Sequence, residues 1–335
     1  MNKEKKRLLE IIDRFPGKKI IVWGDFILDE YLYGYTRRIS REAPVLILSY
    51  RNTTFSLGGA GNSLLNLHSL DSAPIPVGLL GTNSTGEEVL HTINEYHIPT
   101  KYLIKDKSYS TPSKTRVLAG DKSTRKQQIL RIDKESRVPE TKSIKNSLYN
   151  ALKNLVQKAD AVLISDYHYF NVKKDIYDEM IPHFQNTGIP VTLDSRYRLL
   201  DFKNSTVATP NEKEAKRTLG IDVYNDSLSI EEIGENLLKK IRSKFLIITR
   251  GSKGMVVFQN NKDPYHINIY GTDEIVNVAG AGDTVISTIT LALSTGAEIE
   301  DAAKIANYAA GIVVMKEGTS TLSRKELKEA IVSEN

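Results

Sequence analysis

Asn277 to Thr284 reads NVAGAGDT and runs into VISTITLALSTG, an apolar stretch of helical length. The small residues Ala279, Gly280, Ala281 and Gly282 let the backbone approach a ligand and aim successive N–H groups at one point. The positive end of the following helix adds to them. That is the chemistry of an anion hole. Asp283 stands inside the first helical turn, where its own charge opposes a bound anion, so another reason must place it there. A general base is such a reason: in phosphoryl transfer the attacking hydroxyl loses its proton beside the stabilised phosphate. The structural alternative is close helix packing by the small residues, with an acid favoured by the helix dipole.

Leu57 to Asn66 (LGGAGNSLLN) is a second glycine-rich turn. Leu64 stands where a dinucleotide fingerprint needs its third glycine, and the turn does not follow the first strand, so a Rossmann cofactor site is not expected. Gly58 and Gly59 would let a flat polyol lie on the backbone, and Asn62 could offer its amide to vicinal hydroxyls; an ordinary capped helix start is the alternative. In TPNEKE, Asn211 and Glu214 share one face of a helix start. Asn211 could cap while Glu214 reaches a hydrated Mg²⁺, or the pair could be a cap and its partner alone. Arg250-Gly251-Ser252-Lys253-Gly254, after an apolar run, suits polyphosphate and equally a plain hairpin turn. The sequence holds no G-x-x-x-x-G-K-[ST], no H-E-x-x-H and no H-x-G-H, and its histidines are scattered, so P-loop and zinc chemistry are not supported.

Positioning these residues requires a particular framework. Lys19 to Trp23 is a short continuous apolar run, the pattern of a strand buried on both faces, and it ends at Gly24-Asp25. The same unit recurs where Ala161–Ile164 meets Ser165-Asp166, where Val191–Leu193 meets Asp194, and where Phe245–Ile248 meets Thr249-Arg250-Gly251. Helical stretches lie between, near 61–70, 85–96, 143–157, 173–184, 230–242, 281–294 and 299–316. This alternation predicts an α/β fold with a mostly parallel sheet and helices on both faces, its site outside the carboxyl ends of the strands. Segments 33–54 and 110–133 break the rhythm with apolar–polar alternation and predict a small antiparallel sheet inserted as a lid on one body. The cations Arg37, Arg38, Arg41, Lys114, Arg116, Lys126 and Arg131 fall on it, as capture of a phosphorylated substrate would require.

Length and composition agree. The 335 residues exceed one ordinary domain, and 40% hydrophobic with 26% charged residues excludes global disorder. A net charge of +5 is mild, with no basic stripe interleaved with aromatics, so no nucleic acid is expected as partner. No apolar run approaches the ~18–20 residues of a membrane span, and the first fifteen residues read as a surface helix rather than a secretory signal. With no cysteine present, a soluble cytoplasmic protein is expected.

Taken jointly, Gly58-Gly59 with Asn62, Asn211-x-x-Glu214 and Gly280-Ala281-Gly282-Asp283 resemble the two signatures of the ribokinase-like (PfkB) sugar kinases. The phrases VWGDFILDEYLYG, RRISREAPV, KTRVLAG, QQILRID, TPNEKEA, VAGAGDTVI and KEGTSTLS look like the heptose-7-phosphate kinases of lipopolysaccharide precursor synthesis. Arg41 stands where that phrase usually has Pro, and Asp194-Ser195-Arg196 where Asp-Pro-Lys is usual; Arg for Lys keeps charge and changes geometry.

The resemblance implies a single ribokinase-like domain over 1–335, three αβα layers with a β-lid, and ATP-dependent phosphorylation of D-glycero-D-manno-heptose 7-phosphate to the 1,7-bisphosphate. Asp283 would be the base, and the N–H groups of Gly280, Ala281 and Gly282 would hold the phosphoryl group. Asp25 and Asn62 would hold sugar hydroxyls over a floor of Gly58 and Gly59, with Arg38, Lys114 and Arg116 at the 7-phosphate or lid hinge. Asn211 and Glu214 would organise Mg²⁺ and phosphates, Glu214 through water, with Thr249, Arg250, Gly251 and Asn307 around the nucleotide. Mg²⁺ and ATP are implied, with a monovalent cation as a further candidate. Adenylyl transfer would belong to another protein, since H-x-G-H is absent. Exposed lid edges predict a homodimer through the lid. A kinase for another sugar or sugar phosphate is the nearest alternative; a non-catalytic sugar or nucleotide sensor is a further one, disfavoured by Asp283.

Overall fold

The computed structural model describes residues 2–120, 126–223, 228–271, 279–316 and 320–334. The first part of the chain forms α1 (Lys3–Asp13), β1 (Lys19–Gly24), β2 (Phe26–Ile39), β3 (Leu46–Gly59), α2 (Ala60–Ser69), β4 (Ala73–Gly81), α3 (Ser84–Glu95) and β5 (Leu103–Asp106). Next come β6 (Ser113–Gly120), β7 (Gln127–Lys134), α4 (Lys142–Leu155), β8 (Ala161–Asp166), α5 (Lys174–Thr187), β9 (Val191–Ser195) and β10 (Val207–Ala208). The rest forms α6 (Glu212–Thr218), α7 (Ile230–Ile241), β11 (Phe245–Thr249), β12 (Met255–Gln259), β13 (Tyr265–Ile267), α8 (Ala281–Ser294), α9 (Ile299–Val314) and α10 (Arg324–Ser333).

Nine strands make one sheet in the order β13-β12-β11-β10-β9-β8-β1-β4-β5. All its pairings are parallel except the two that add β12 and β13 at one edge. Strand β1 shows why its sequence is continuously apolar: Ile21 and Trp23 enter a core with α4, α5 and α7, while Ile20 and Val22 enter a second core with α1, α2 and α8. Both faces are covered, giving three layers. From β1 the chain builds outward in both directions, so the order reverses there and a crevice opens beyond the carboxyl ends of β1 and β8.

The seven expected helical stretches correspond to α2, α3, α4, α5, α7, α8 and α9, with α5 running on to Thr187, and α10 lies beyond them. Strand β4 is different, since Pro74 and Pro76 argue against a strand in mid-sheet. The N–H of Ala73 donates to Lys18 O, so by alternation the nitrogens of Pro74 and Pro76 face the other side. There β5 begins to pair only at Gly78, so neither proline removes a ladder bond.

The second sheet runs β3-β2-β6-β7; its two hairpins are antiparallel as expected, but β2 and β6, which join them, pair in parallel because the chain passes through the body between the hairpins. Its strands reach further toward the body than the alternating segments 33–54 and 110–133: β2 begins at Phe26, one residue beyond β1, and β3 continues to Gly59. The reason is burial. Residues 26–29 and 57–59 are enclosed on both sides, so the alternation that reveals the outer halves is absent from the inner ones. The Gly120-Asp121 turn lies partly outside the described residues.

Gly24 is where the body is tightest. A Cβ there would meet Ser165 O at 2.2 Å and the Ala60 Cβ at 2.9 Å. Gly24→Ala is expected to destabilise the protein by about 1–3 kcal/mol, the range for overpacking; urea unfolding that matches wild type would refute this.

Candidate active site

A cleft of about 450 Å³ opens under the lid at the carboxyl ends of the central strands. The turn before α8 forms one wall, with Gly280, Gly282 and Asp283 facing in. Asp283 is 4% exposed. Asn62 Nδ2 donates to its Oδ2 at 2.8 Å, and the Tyr167 hydroxyl donates to its Oδ1 at 3.1 Å, with Ser63 Oγ at 3.5 Å. Burial raises the Asp283 carboxyl to about 6, against the lowering effect of the Asn62 and Tyr167 donors. A group so poised accepts a proton near neutrality.

The floor is built from the base of the lid. Gly58 and Gly59 at the end of β3, with Ile27 and Asp29 of β2, line the cleft. A Cβ on Gly58 would fall 2.8 Å from Asp29 Oδ2, so that position is closed to larger residues. Asp29 accepts from Arg116 Nη1 at 2.6 Å in a pair that is 9% and 15% exposed. Lys114, Arg131 and Arg196 bring three more cations to the rim. Burial, then the charge of Arg196, lowers the Lys114 ammonium below its ordinary value. Four cations line this one cleft, Arg116 and Arg131 paired with Asp29 and Asp133, a lining suited to anionic groups.

Opposite, Asn211 caps α6: its Oδ1 accepts from Glu214 N at 2.9 Å, while Glu214 Oε2 accepts from Asn211 N at 2.9 Å. A bridge to Thr249 sets Asn211 beside the end of β11. The Asp194 carboxyl is pushed well above its ordinary value by burial and by the charge of Glu214, and Glu214 is itself raised by burial. Arg196 is the cation that acts on both carboxyls, with Arg217 a second one on Glu214. No cage of three or more His, Asp or Glu side chains exists among the described residues. Two carboxylates on one side of a phosphate-sized cleft fit Mg²⁺ held through its water shell.

Other sequence-predicted residues stand elsewhere. Asp25 is fully buried behind the floor, its carboxylate taken up by the backbone N–H groups of Tyr167, Tyr169 and Asn171, so it does not face the cleft. Asn62 lies beneath Asp283 rather than on the floor, its amide oxygen accepting from Asn66 at 3.1 Å. Arg38 is exposed on the outer half of β2, outside the cleft lining. Ala281 packs on the body core. Arg250 pairs with Glu212 at 3.0 Å, and Gly251 is exposed beyond it. Asn307 donates to Asn268 O at 2.8 Å beside a separate hollow of about 260 Å³. Asn277 and Val278 of the anion-hole phrase lie outside the described residues.

Asp29, Tyr167 and Thr209 are site-lining residues that the sequence reading did not single out. Asp29 lies in the same phrase as Asp25 and shares its strand parity, and Tyr167 directly follows a strand-end acid, so each carried a positional sign.

The chain belongs to the pfkB family of carbohydrate kinases, whose pattern matches residues 18–326. It is a carbohydrate kinase of that family. It is 34% identical over 325 residues to the bifunctional protein HldE of Geobacter sulfurreducens, covering 97% of this chain and 65% of that one. To HldE of Mesorhizobium japonicum it is 35% identical over 321 residues, covering 96% and 63%. The chain therefore spans about two thirds of the length of these relatives. Its fold is that of phosphofructokinase-2 from Escherichia coli (TM-score 0.74, 16% identity, 95% of this chain and 98% of that) and of Arabidopsis thaliana ribokinase (0.68, 19%, 94% and 98%).

The Asp29–Arg116 pair joins two lid strands at the cleft. Arg116→Ala would leave a buried carboxylate unpaired, with an expected loss of about 3 kcal/mol. Asp29→Ala with Arg116→Ala should lose less than the two singles together in urea titrations; additivity would show the pair to be uncoupled.

Proposed function

We propose that this kinase transfers the γ-phosphoryl group of ATP to the anomeric hydroxyl of D-glycero-β-D-manno-heptose 7-phosphate, giving the 1,7-bisphosphate for ADP-heptose and lipopolysaccharide core synthesis. The observation that carries the phosphoryl-transfer chemistry is Asp283, buried and doubly hydrogen-bonded beside the glycine turn that opens α8. The choice of a sugar phosphate is supported by the cations Lys114, Arg116, Arg131 and Arg196 on the cleft, and that of heptose by the likeness to heptose-7-phosphate kinases and to the HldE proteins.

In this reading Asp283 takes the proton of the anomeric hydroxyl as its oxygen attacks phosphorus, and the backbone N–H groups of Gly280 to Gly282 hold the transferring oxygens. Gly58, Gly59 and Asp29 hold the sugar, Asp29 taking the part that Asp25 is too deeply placed to play. Lys114 and Arg116 with Arg131 receive its phosphate. Glu214, with Asn211 as its cap partner, faces hydrated Mg²⁺, which supplies neutralising charge to the nucleotide phosphates when bound. Thr249, on the cleft beside Asn211, marks the nucleotide wall; Arg250 and Gly251 follow it along the chain, and Asn307 stands at a separate hollow.

The test is Mg-ATP-dependent ADP release against sugars and sugar 7-, 6- and 1-phosphates, with Asp283→Asn as the paired variant. Turnover on heptose 7-phosphate should fall at least ~10²-fold in the variant. The base works as carboxylate, so wild-type kcat should decline as pH drops through about 6. Turnover on another sugar alone would replace the substrate, and undiminished turnover by Asp283→Asn would remove the base.

We further infer a homodimer through the lid. All eight residues of the edge strand β7 are exposed, and Ile39, Tyr50 and Leu130 on the small sheet are 65%, 64% and 54% exposed. Apolar side chains on an open-edged sheet are a surface to be covered. Sedimentation at micromolar concentration should give a dimer that Tyr50→Asp with Leu130→Asp dissociates; a wild-type monomer would dismiss the idea.

A further inference from the structure

The turn that follows β8 is built in an unusual way. His168 and Phe170 adopt left-handed φ angles of 72° and 68°, a region that non-glycine residues rarely enter. Alternating with these two residues, the N–H groups of Tyr167, Tyr169 and Asn171 converge on one point. The Asp25 carboxylate occupies that point, accepting at 2.8, 3.0 and 3.0 Å. Strain of this kind persists only where the surroundings over-determine it, and it marks places where a side chain has to be aimed.

The side chain aimed here is Tyr167. Its ring lies between two cations, Lys114 Nζ from the lid at 5.6 Å and the Arg196 guanidinium from the body at 5.9 Å. Its edge rests on Gly59, where a Cβ would come within 3.3 Å of Cδ2. Its hydroxyl reaches Asp283 Oδ1. Backbone clamp, ring contacts and hydroxyl thus fix one residue from several sides. Burial and the charge of Asp283 push the Tyr167 hydroxyl well above its ordinary value, so it stays protonated and donates.

We propose that Tyr167 is a positioning residue for phosphoryl transfer: its hydroxyl orients the Asp283 carboxylate, and the strained turn clamped by Asp25 holds that hydroxyl in place. The inference rests on Asp283 being the base. Asn62 on Oδ2 and Tyr167 on Oδ1, joined there by Ser63 Oγ at 3.5 Å, hold the carboxylate at both oxygens on the wall of the cleft. The donors also favour the ionised form against burial and against the facing carboxylates of Asp29 on β2 and Asp194 on β9. Lys114 on β6 and Arg196 after β9 complete the charged surroundings. Tyr167→Phe removes one donor to the carboxylate and leaves the ring and all these groups in place.

Protein carrying ¹³C-carboxyl aspartate is titrated by NMR without substrate, the Asp283 resonance being assigned by its loss in Asp283→Asn. Tyr167→Phe should move the Asp283 midpoint upward by about one pH unit, the scale of a hydrogen bond to a charged group. The acid limb of kcat should follow it, with KM for Mg-ATP within about twofold of wild type and kcat at pH 6 lowered roughly fivefold. Asp25→Asn should produce the same upward shift by loosening the turn. A Tyr167→Phe protein with wild-type midpoint and kcat overturns the inference while leaving the base reading intact. Undiminished turnover by Asp283→Asn overturns both.

Discussion

As the proposed base, Asp283 must be ionised where ionisation is disfavoured. It is enclosed, it stands at the glycine turn that opens α8, and other carboxylates face it. Hydrogen bonds from the protein have to replace water at both oxygens, and much of the interior follows from supplying them. Asn62 donates to Oδ2 while Asn66 donates to Asn62, and Thr284, next to the acid, donates to Asn66 at 2.9 Å. This chain of side chains binds α2 to α8. Residues more than two hundred positions apart are joined by one carboxylate, and the helices that frame the cleft cannot shift without disturbing it.

The architecture was legible because the patterns that announce it are local. Continuous apolar runs ending in acids gave β1, β8 and β9, and helical periodicity gave α2, α3, α4, α7, α8 and α9 close to their observed ends. Strand β4 escaped because Pro74 and Pro76 contradict a central strand unless one knows that β5 starts late. The inner halves of β2 and β3 escaped because enclosure on both faces erases alternation.

The cleft was legible by residue type, less so by orientation. Glycines, the acid in the first turn of α8 and the lid cations Lys114, Arg116 and Arg131 converge as their chemistry suggests, while Arg37, Arg38, Arg41 and Lys126 do not line the cleft. Which of two nearby acids faces inward was not available: the chain bends between β1 and β2, turning Asp25 to the rear while Asp29 reaches the floor. Asn62 has the chemistry of a sugar ligand and serves Asp283 instead, because its partner arrives from far along the sequence. Tyr167 carries no sign in its type at all; a tyrosine is a common core residue, and its meaning comes from the turn beneath it.

The passage from the large sheet to the small one is a single residue. β1 ends at Gly24 and β2 begins at Phe26, and no flexible tether intervenes. That lone residue is Asp25, whose side chain grips the turn behind β8 while its own carbonyl accepts from Ala60 N at the head of α2. The pivot of the cover is therefore also the fastening of the latch. Asp25 thus ties the start of the small sheet to the turn after β8 and to α2, the two elements whose Tyr167 and Asn62 reach Asp283.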